Sequence, residues 1–313
     1  MKPFRFAAGI HASATRARFI DDVREVERLG YTSLMLSDHL VDQFAPFSAL
    51  GVAAAATTTL RLGTFVLNND LRHPVVLAQE LATLDRLSDG RLDIGIGAGW
   101  NVPEYVAAGI PFEPGTVRID RLDEAVAVLK GVFGEGPIDF QGTYYRVKGF
   151  EDLPRPVQQP HPPFLIGGGS PKLLRFAAQQ AQIVGLAPRV LPGGKADILG
   201  CTLAGSATKV AIIKEAAGDR FDGLELNTYP SLSTAVTDAA LPAARAVADR
   251  LRQRFGVELS ERDVLESPHV FIGSVDSLVE KFQSLREQLG VSHVFVGEDF
   301  RDLAPVVERL RGT

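Results

Sequence analysis

Residues 84–100 read LDRLSDGRLDIGIGAGW. Leu84 to Leu87 has the spacing of the last turn of an amphipathic helix. Ser88-Asp89-Gly90-Arg91 is a turn, because Gly90 takes a positive φ without steric cost. Leu92 to Ile96 alternates apolar and small residues, the pattern of a short buried strand. It runs straight into Gly97-Ala98-Gly99-Trp100, where side chains almost vanish before one large aromatic. A strand ending in bare backbone lets something flat or anionic come close. In a barrel of parallel strands, that end is where sites are built.

Upstream, strands are expected at Phe4–Ala8, Ser33–Leu36 and Leu60–Leu67. Helices are expected at Thr15–Leu29, Phe47–Ala56 and Val75–Leu87, with Pro74 able to open the last of these. Downstream, 101–115 reads as a Gly/Pro loop and Ile119–Phe133 as a helix. Residues 134–163 read as a proline-rich excursion with a small hairpin. Strands follow at Phe164–Ile166, Ile183–Leu186, Gly223–Asn227 and His293–Val296. Between them, 188–207 reads as a long irregular loop, and helices are expected at 208–217, 235–255 and 278–289. Eight strands, each followed by a helix, fit 313 residues as one (β/α)8 barrel domain, 1–313, with insertions after strands 4 and 6.

Composition narrows the function. A net charge of −5 offers no basic field for nucleic acid or anionic membranes. A single cysteine, Cys201, excludes an internal disulfide framework and a Cys-rich metal site, and fits a reducing cytosol. The apolar run in MKPFRFAAGIHAS is too short and interrupted for a signal peptide or a span. The histidines show no metal-ligand spacing, so no metal is expected.

Three groups of residues could carry chemistry. Asp38 and His39 end the second strand, and an adjacent acid and imidazole can bind a polar ring edge or move a proton; equally, the pair could cap a loop. Gly167-Gly168-Gly169-Ser170-Pro171 joins a strand to a helix, and free N–H groups there suit a phosphate. It lacks the dinucleotide fingerprint and a P-loop lysine, and a plain strand-to-helix turn explains it too. Trp100 beside Gly99 could stack on a substrate or pack under the following loop with Tyr105. Glu104-Tyr105 reads as structural support.

Taken together and in this order, the motifs resemble the luciferase-like flavin and deazaflavin oxidoreductases. The resemblance rests on Ser37-Asp38-His39, Arg72-His73-Pro74, residues 84–91, Gly97-Ala98-Gly99-Trp100 with Glu104-Tyr105, Ile166-Gly167-Gly168-Gly169, and Phe271-Ile272-Gly273-Ser274. It is nearest the actinobacterial group assigned to coenzyme F420. It implies a cytoplasmic homodimer acting on a small-molecule substrate, with no nucleic-acid or membrane partner. A bulge with a non-proline cis peptide at Phe65-Val66 would back the ring, joined in cofactor binding by Asn68, Ala98 and Gly99. Gly167, Gly168, Gly169 and Ser170 would take the phosphate tail. His39, with Asp38, would stand at the reacting face, and Gln43 and Trp100 would line the substrate pocket.

Two departures sharpen the expectation. Family members that oxidise alcohols or sugars have a tryptophan where this chain has Gln43, and a proton-donating glutamate where it has Trp100. Their loss points to hydride transfer from reduced F420 to an activated C=C or C=N bond. The alternatives are an FMNH2-dependent monooxygenase of the same superfamily, using FMN, and a non-catalytic flavin-binding barrel.

Overall fold

The computed structural model describes residues 2–12, 15–151, 153–191 and 194–313. The N-terminal run 1–13, the excursion 134–163 and the loop 188–207 marked by the sequence each contain residues outside that set (1, 13, 152, 192 and 193). Eight strands carry the fold: β1 (Arg5–Gly9), β2 (Ser33–Leu36), β3 (Arg61–Thr64), β4 (Leu92–Gly97), β5 (Phe164–Gly168), β6 (Ile183–Leu186), β7 (Glu225–Thr228) and β8 (Val291–Phe295). Helices α1 (Arg16–Arg28), α2 (Pro46–Ala56) and α3 (Pro74–Leu87) follow the first three, and α4 (Val102–Ala108) and α5 (Gly115–Phe133) follow β4. Then come α6 (Pro171–Gln180), α7 (Leu203–Ala217), α8 (Ala240–Phe255), α9 (Glu261–Glu266), α10 (Val275–Leu289) and α11 (Phe300–Leu310). Parallel strands alternating with helices in this way make the (β/α)8 class that the hydrophobic patterning predicts.

The residues fall into two compact units, one of Ile10–Glu25 and Leu34–Ile166, the other of the residues up to Gly9, Val26–Ser33 and Gly167–Thr313. In the first, β4 pairs with β3 and with the Phe164–Ile166 part of β5. All six residues of β4 are buried, as expected of a parallel strand covered on both faces. The strand predicted over 60–67 is interrupted: β3 ends at Thr64, the Phe65-Val66 peptide is cis, and Leu67-Asn68 then pairs with Ile96-Gly97.

The glycines of β4 explain how that interruption fits. A Cβ on Gly95 would lie 1.8 Å from the Thr64 carbonyl oxygen, and one on Gly97 would lie 2.9 Å from Val66 Cγ2. The Thr64 hydroxyl donates to the Gly95 carbonyl (2.7 Å) and accepts from its N–H (3.0 Å). Beneath β4 the chain is pinned by side chains. The Arg91 guanidinium donates to the carbonyls of Ser88, Leu60 and Ala54 and to the Thr57 hydroxyl, at 2.7–3.0 Å. Buried Asp85 accepts from the backbone and side-chain amides of Gln158 (3.0 and 2.7 Å), and buried Asp93 pairs with Arg61 at 2.6 Å.

Residues 101–115, expected as loop, hold the two-turn helix α4. Its markers are local: Pro103 in the first turn, Glu104 beside it, and Gly109 closing the helix at φ +69°. The excursion holds the expected hairpin, Ile138–Gln141 against Arg146–Phe150. The Glu124 carboxylate on α5 accepts from the N–H groups of Thr143, Tyr144 and Tyr145 at the hairpin's turn.

In the second unit β8 lies between β1 and β7, and β7 pairs with β6. Helix α7 starts five residues earlier than predicted because the Thr202 side chain accepts from the Gly205 N–H and caps it. A further excursion follows β7, and its strand takes the start of the helix expected over 235–255, which begins at Ala240 as α8. There Ser233–Val236 pairs in parallel with Val270–Gly273, over a small core of Ile198, Val247, Leu251, Val264 and Ile272. Lys281 of α10 turns inward here and donates to the carbonyls of Leu265 and Val270. Burial pushes its ammonium down to about 7, with Glu266 opposing the shift.

Candidate active site

The first unit gathers its polar side chains where β2, β3 and β4 end. After β2 the chain passes through Ser37, Asp38 and His39. Asp38 is buried, and Arg72 grips both its oxygens, Nη1 at 2.6 Å and Nη2 at 3.0 Å. The same carboxylate accepts the Asn68 N–H at 3.0 Å. Arg72 also lies 5.3 Å over the Phe47 ring and 3.7 Å from Glu80. Burial pushes the Glu80 carboxyl up, Arg72 pulls it down and Asp38 adds to the rise. Asp38 thus ties the loop after β2 to the segment after the cis peptide; both its oxygens are engaged.

His39 is held differently. Its Nδ1 lies 2.8 Å from Glu104 Oε1, and its ring meets the edge of Trp100 at 5.6 Å and 83°. The His39 side chain is 30% exposed while Glu104 is 8% exposed, so the imidazole faces outward from a buried carboxylate. Trp100 itself is 56% exposed. Gln43 folds back on its own loop, donating to the Ser37 carbonyl (2.9 Å) and accepting from the Ser37 hydroxyl (2.7 Å).

The bare stretch after β4 is filled by protein. Gly99 has φ +73°, and a Cβ there would strike the Tyr105 hydroxyl at 1.9 Å and Asn68 Oδ1 at 2.7 Å. That hydroxyl lies 2.9 Å from Asn68 Oδ1 and 2.8 Å from Asp70 Oδ2. Burial, then Asp70, pushes the phenol well above its ordinary range. Arg118 donates to the carbonyls of Ala98 (2.9 Å) and Gly99 and lies 4.0 Å over the Phe112 ring. Asp70 is paired in turn with Arg121 at 2.8 Å, and Arg121 with Glu113. The absent side chains of 97 and 99 therefore make room for Val66, Asn68 and Tyr105.

Of the residues singled out in the sequence, this unit brings together Asp38, His39, Phe65-Val66, Asn68, Ala98, Gly99 and Trp100 through the contacts above. In the sequence, Glu104 and Tyr105 carry only a supporting role and Arg72 only a place in a motif, and Arg118 is unmarked. Glu104 carried a signal: it stands three residues after Asn101, at the N3 position of a helix, where an acidic side chain usually has a partner. Nothing in sequence order shows that its partner is 65 residues upstream.

The glycine run belongs to the second unit. Ser170 caps α6 by accepting the Leu173 N–H at 3.3 Å, with Pro171 opening the helix. The Gly168 carbonyl accepts from the Ala187 N–H at 3.2 Å. A Cβ on Gly169 would meet Arg189 N at 2.3 Å, and one on Gly168 would meet Leu173 Cδ2 at 2.3 Å. Close packing of residues 187–189 and of α6 accounts for these glycines as backbone requirements.

With the geometry in view, the comparisons place the chain. Its residues 1–209 match the family model described as luciferase-like monooxygenase, and the chain belongs to that family. It is 35% identical over 170 residues to an F420-dependent glucose-6-phosphate dehydrogenase of Intrasporangium calvum, covering 51% of this chain and 50% of that one. It is 34% identical over 97 residues to an FMNH2-dependent dimethylsulfone monooxygenase of Pseudomonas putida, covering 31% and 27%. The matches span about half the length of the first of these relatives. Among solved structures, the coenzyme F420-dependent tetrahydromethanopterin reductase of Methanopyrus kandleri superposes with a TM-score of 0.77 at 20% identity, over 99% of this chain and 98% of that one. That likeness shows the barrel fold. No helix among the described residues is long and apolar enough to cross a membrane.

Proposed function

We propose that the chain is an oxidoreductase that uses reduced coenzyme F420 to reduce an activated C=C or C=N bond in a small organic substrate. The observation that carries this reading is His39, its Nδ1 on buried Glu104 and its ring outward beside Trp100. Bound there, the reduced deazaflavin would supply the hydride. The chain's residues fit such a ring. Asn69 Oδ1 is buried with no protein partner among the described residues, an acceptor suited to a ring N–H. The names of the relatives that match at about one third identity support F420 over other coenzymes.

His39 is assigned the proton that must accompany hydride, because its ring faces outward and imidazole nitrogen can donate a proton. Asp38, read in the sequence as a possible partner in proton transfer, is assigned a positioning role, since Arg72 and Asn68 occupy its oxygens. Trp100 is assigned to the wall of the substrate pocket. Gln43 is assigned to shaping the loop, its amide being spent on Ser37. Gly167–Ser170 is kept as an anion site on its own account, next to the capped start of α6. A homodimer in the cytosol is the expected form.

A second reading, an FMNH2-dependent monooxygenase, is favoured by the dimethylsulfone monooxygenase match. Fluorescence titration with oxidised and reduced F420 and FMN separates the two. The proposal expects binding of F420 at least ten times tighter than FMN, turnover of electron-poor alkenes or imines, and no oxygen uptake at an electrode. Preference for FMN with oxygen consumption overturns it.

A further inference from the structure

We infer that Glu104 is the positioning residue for His39: it fixes the ring as the Nδ1–H tautomer and aims Nε2 as the atom that exchanges a proton. This rests on the role proposed above for His39. A carboxylate offers only acceptors, so the atom of His39 that faces Glu104 Oε1 at 2.8 Å carries the hydrogen. Whichever charge state the ring takes, the Nδ1 proton stays in that bond, and the proton that comes and goes is the one on Nε2.

Glu104 sits in the first turn of α4, where aligned peptide N–H groups favour negative charge. Its N–H donates to the Asn101 carbonyl at 3.1 Å. Instead of capping the helix, the Asn101 side chain donates its amide to Glu104 Oε1, the same oxygen that faces His39. Asn101 thus holds the carboxylate while the carboxylate holds the imidazole. Trp100, the neighbour of Asn101 in the chain, closes against His39 at 83° and limits rotation of the ring. Glu104 and Trp100 thus act directly on one histidine, and Asn101 acts on it through Glu104.

The chemical step assigned to the pair is a proton transfer. The Nε2–H bond of the His39 imidazolium breaks, its electron pair stays on nitrogen, and the proton bonds to the substrate atom that gains negative charge as hydride arrives. His39 is left neutral with hydrogen on Nδ1, Glu104 remains a carboxylate, and water restores the Nε2 proton. Glu104 stabilises the charged ring before transfer and keeps the neutral ring in the tautomer that can be recharged at Nε2, the logic by which a buried acid orients a catalytic histidine.

The test uses the whole protein without coenzyme first. 15N-histidine labelling with long-range proton–nitrogen correlation reports the tautomer of His39, assigned by its loss in His39→Ala. Above the titration of the ring, wild type should show hydrogen on Nδ1, and Glu104→Ala should shift the ring to the Nε2–H form that free imidazole prefers. Glu104→Gln keeps the shape and guards against misfolding, checked by circular dichroism; it should retain the tautomer only in part. With F420 and a turned-over substrate, both variants should lower kcat by about 10- to 100-fold, the usual loss when a group orienting a histidine is removed, with KM within about twofold and with the high-pH side of the profile moved to lower pH. An unchanged tautomer in Glu104→Ala overturns the inference, and so does a changed tautomer with unchanged kcat. Failure of F420 to bind would strike the proposed function and leave the tautomer result standing.

Discussion

Replacing Lys281 by methionine tests the packing of the second unit through its pH dependence. The ammonium ordinarily titrates at 10.5, and burial lowers it to about 7 in the folded chain. Between those values the unfolded chain holds a proton that the folded chain has released. Stability therefore rises with pH through this window, by about 1.4 kcal/mol per pH unit where the difference is one full proton. It falls again as pH drops towards 7, where folding must either bury the charge or strip the proton. Methionine has similar reach and no proton, and its loss of hydrogen bonds to Leu265 and Val270 does not depend on pH. Integrated from pH 7.5 to 9.5, wild type should gain about 2.5 kcal/mol relative to Lys281→Met. Urea unfolding followed at 222 nm at four pH values in that range measures the difference. Two stability curves parallel within about 0.5 kcal/mol, close to the error of such extrapolations, would show that Lys281 keeps its ordinary titration and that its burial has been misread.

Three other expectations concern the site and its support. His39→Ala should cut kcat by about 100-fold or more, as expected for loss of a general acid, while leaving the melting temperature within a few degrees; steady-state kinetics and a thermal melt check it, and unchanged kinetics remove His39 from the reaction. Gly95→Ala should destabilise by about 3 kcal/mol or more, because the new methyl lies 1.8 Å from the Thr64 carbonyl and backbone must move; a urea midpoint equal to wild type would contradict it. Gly168→Val should push Leu173 off the first turn of α6 and weaken binding of inorganic phosphate at that turn at least tenfold with a smaller change in melting temperature; equal phosphate affinity by calorimetry would show that the turn holds no anion.

The order of strands and helices was legible because most β segments carry a short apolar run and several long helices have one apolar face, as in Leu278, Phe282 and Leu285 of α10. Local signals also marked Ser170 and Pro171 at the start of α6. What escaped the reading was either hidden by composition or non-local. Helix α4 was masked by its proline and glycines, although Pro103 and Gly109 are the residues that start and stop it. The parallel pair Ser233–Val236 and Val270–Gly273 joins segments more than thirty residues apart, which no local pattern reveals. At the site, the residue types were visible and their partners were not. Asp38 and His39 stand side by side in the chain, yet one turns to Arg72 and the other to Glu104. The glycines after β4 read as open surface, but they are small so that Val66 and Tyr105 can fill the space.

Arg91 gives the stretch 84–100 a second meaning. Its guanidinium rivets the turn below β4 to the end of α2 and the approach to β3 through three carbonyls and a hydroxyl, and a lysine, with one nitrogen, could not span that fork. One continuous motif therefore serves two masters at its two ends. Natural variation around Asp85 and Arg91, and at Gly97 and Gly99 where a Cβ would clash, should surface as poor yield or heat sensitivity, whereas variation at Trp100 and Glu104 should surface as altered turnover in protein that purifies normally. A variant in this segment can be sorted by whether it touches the side chains that brace the turn and the strand or those that meet His39.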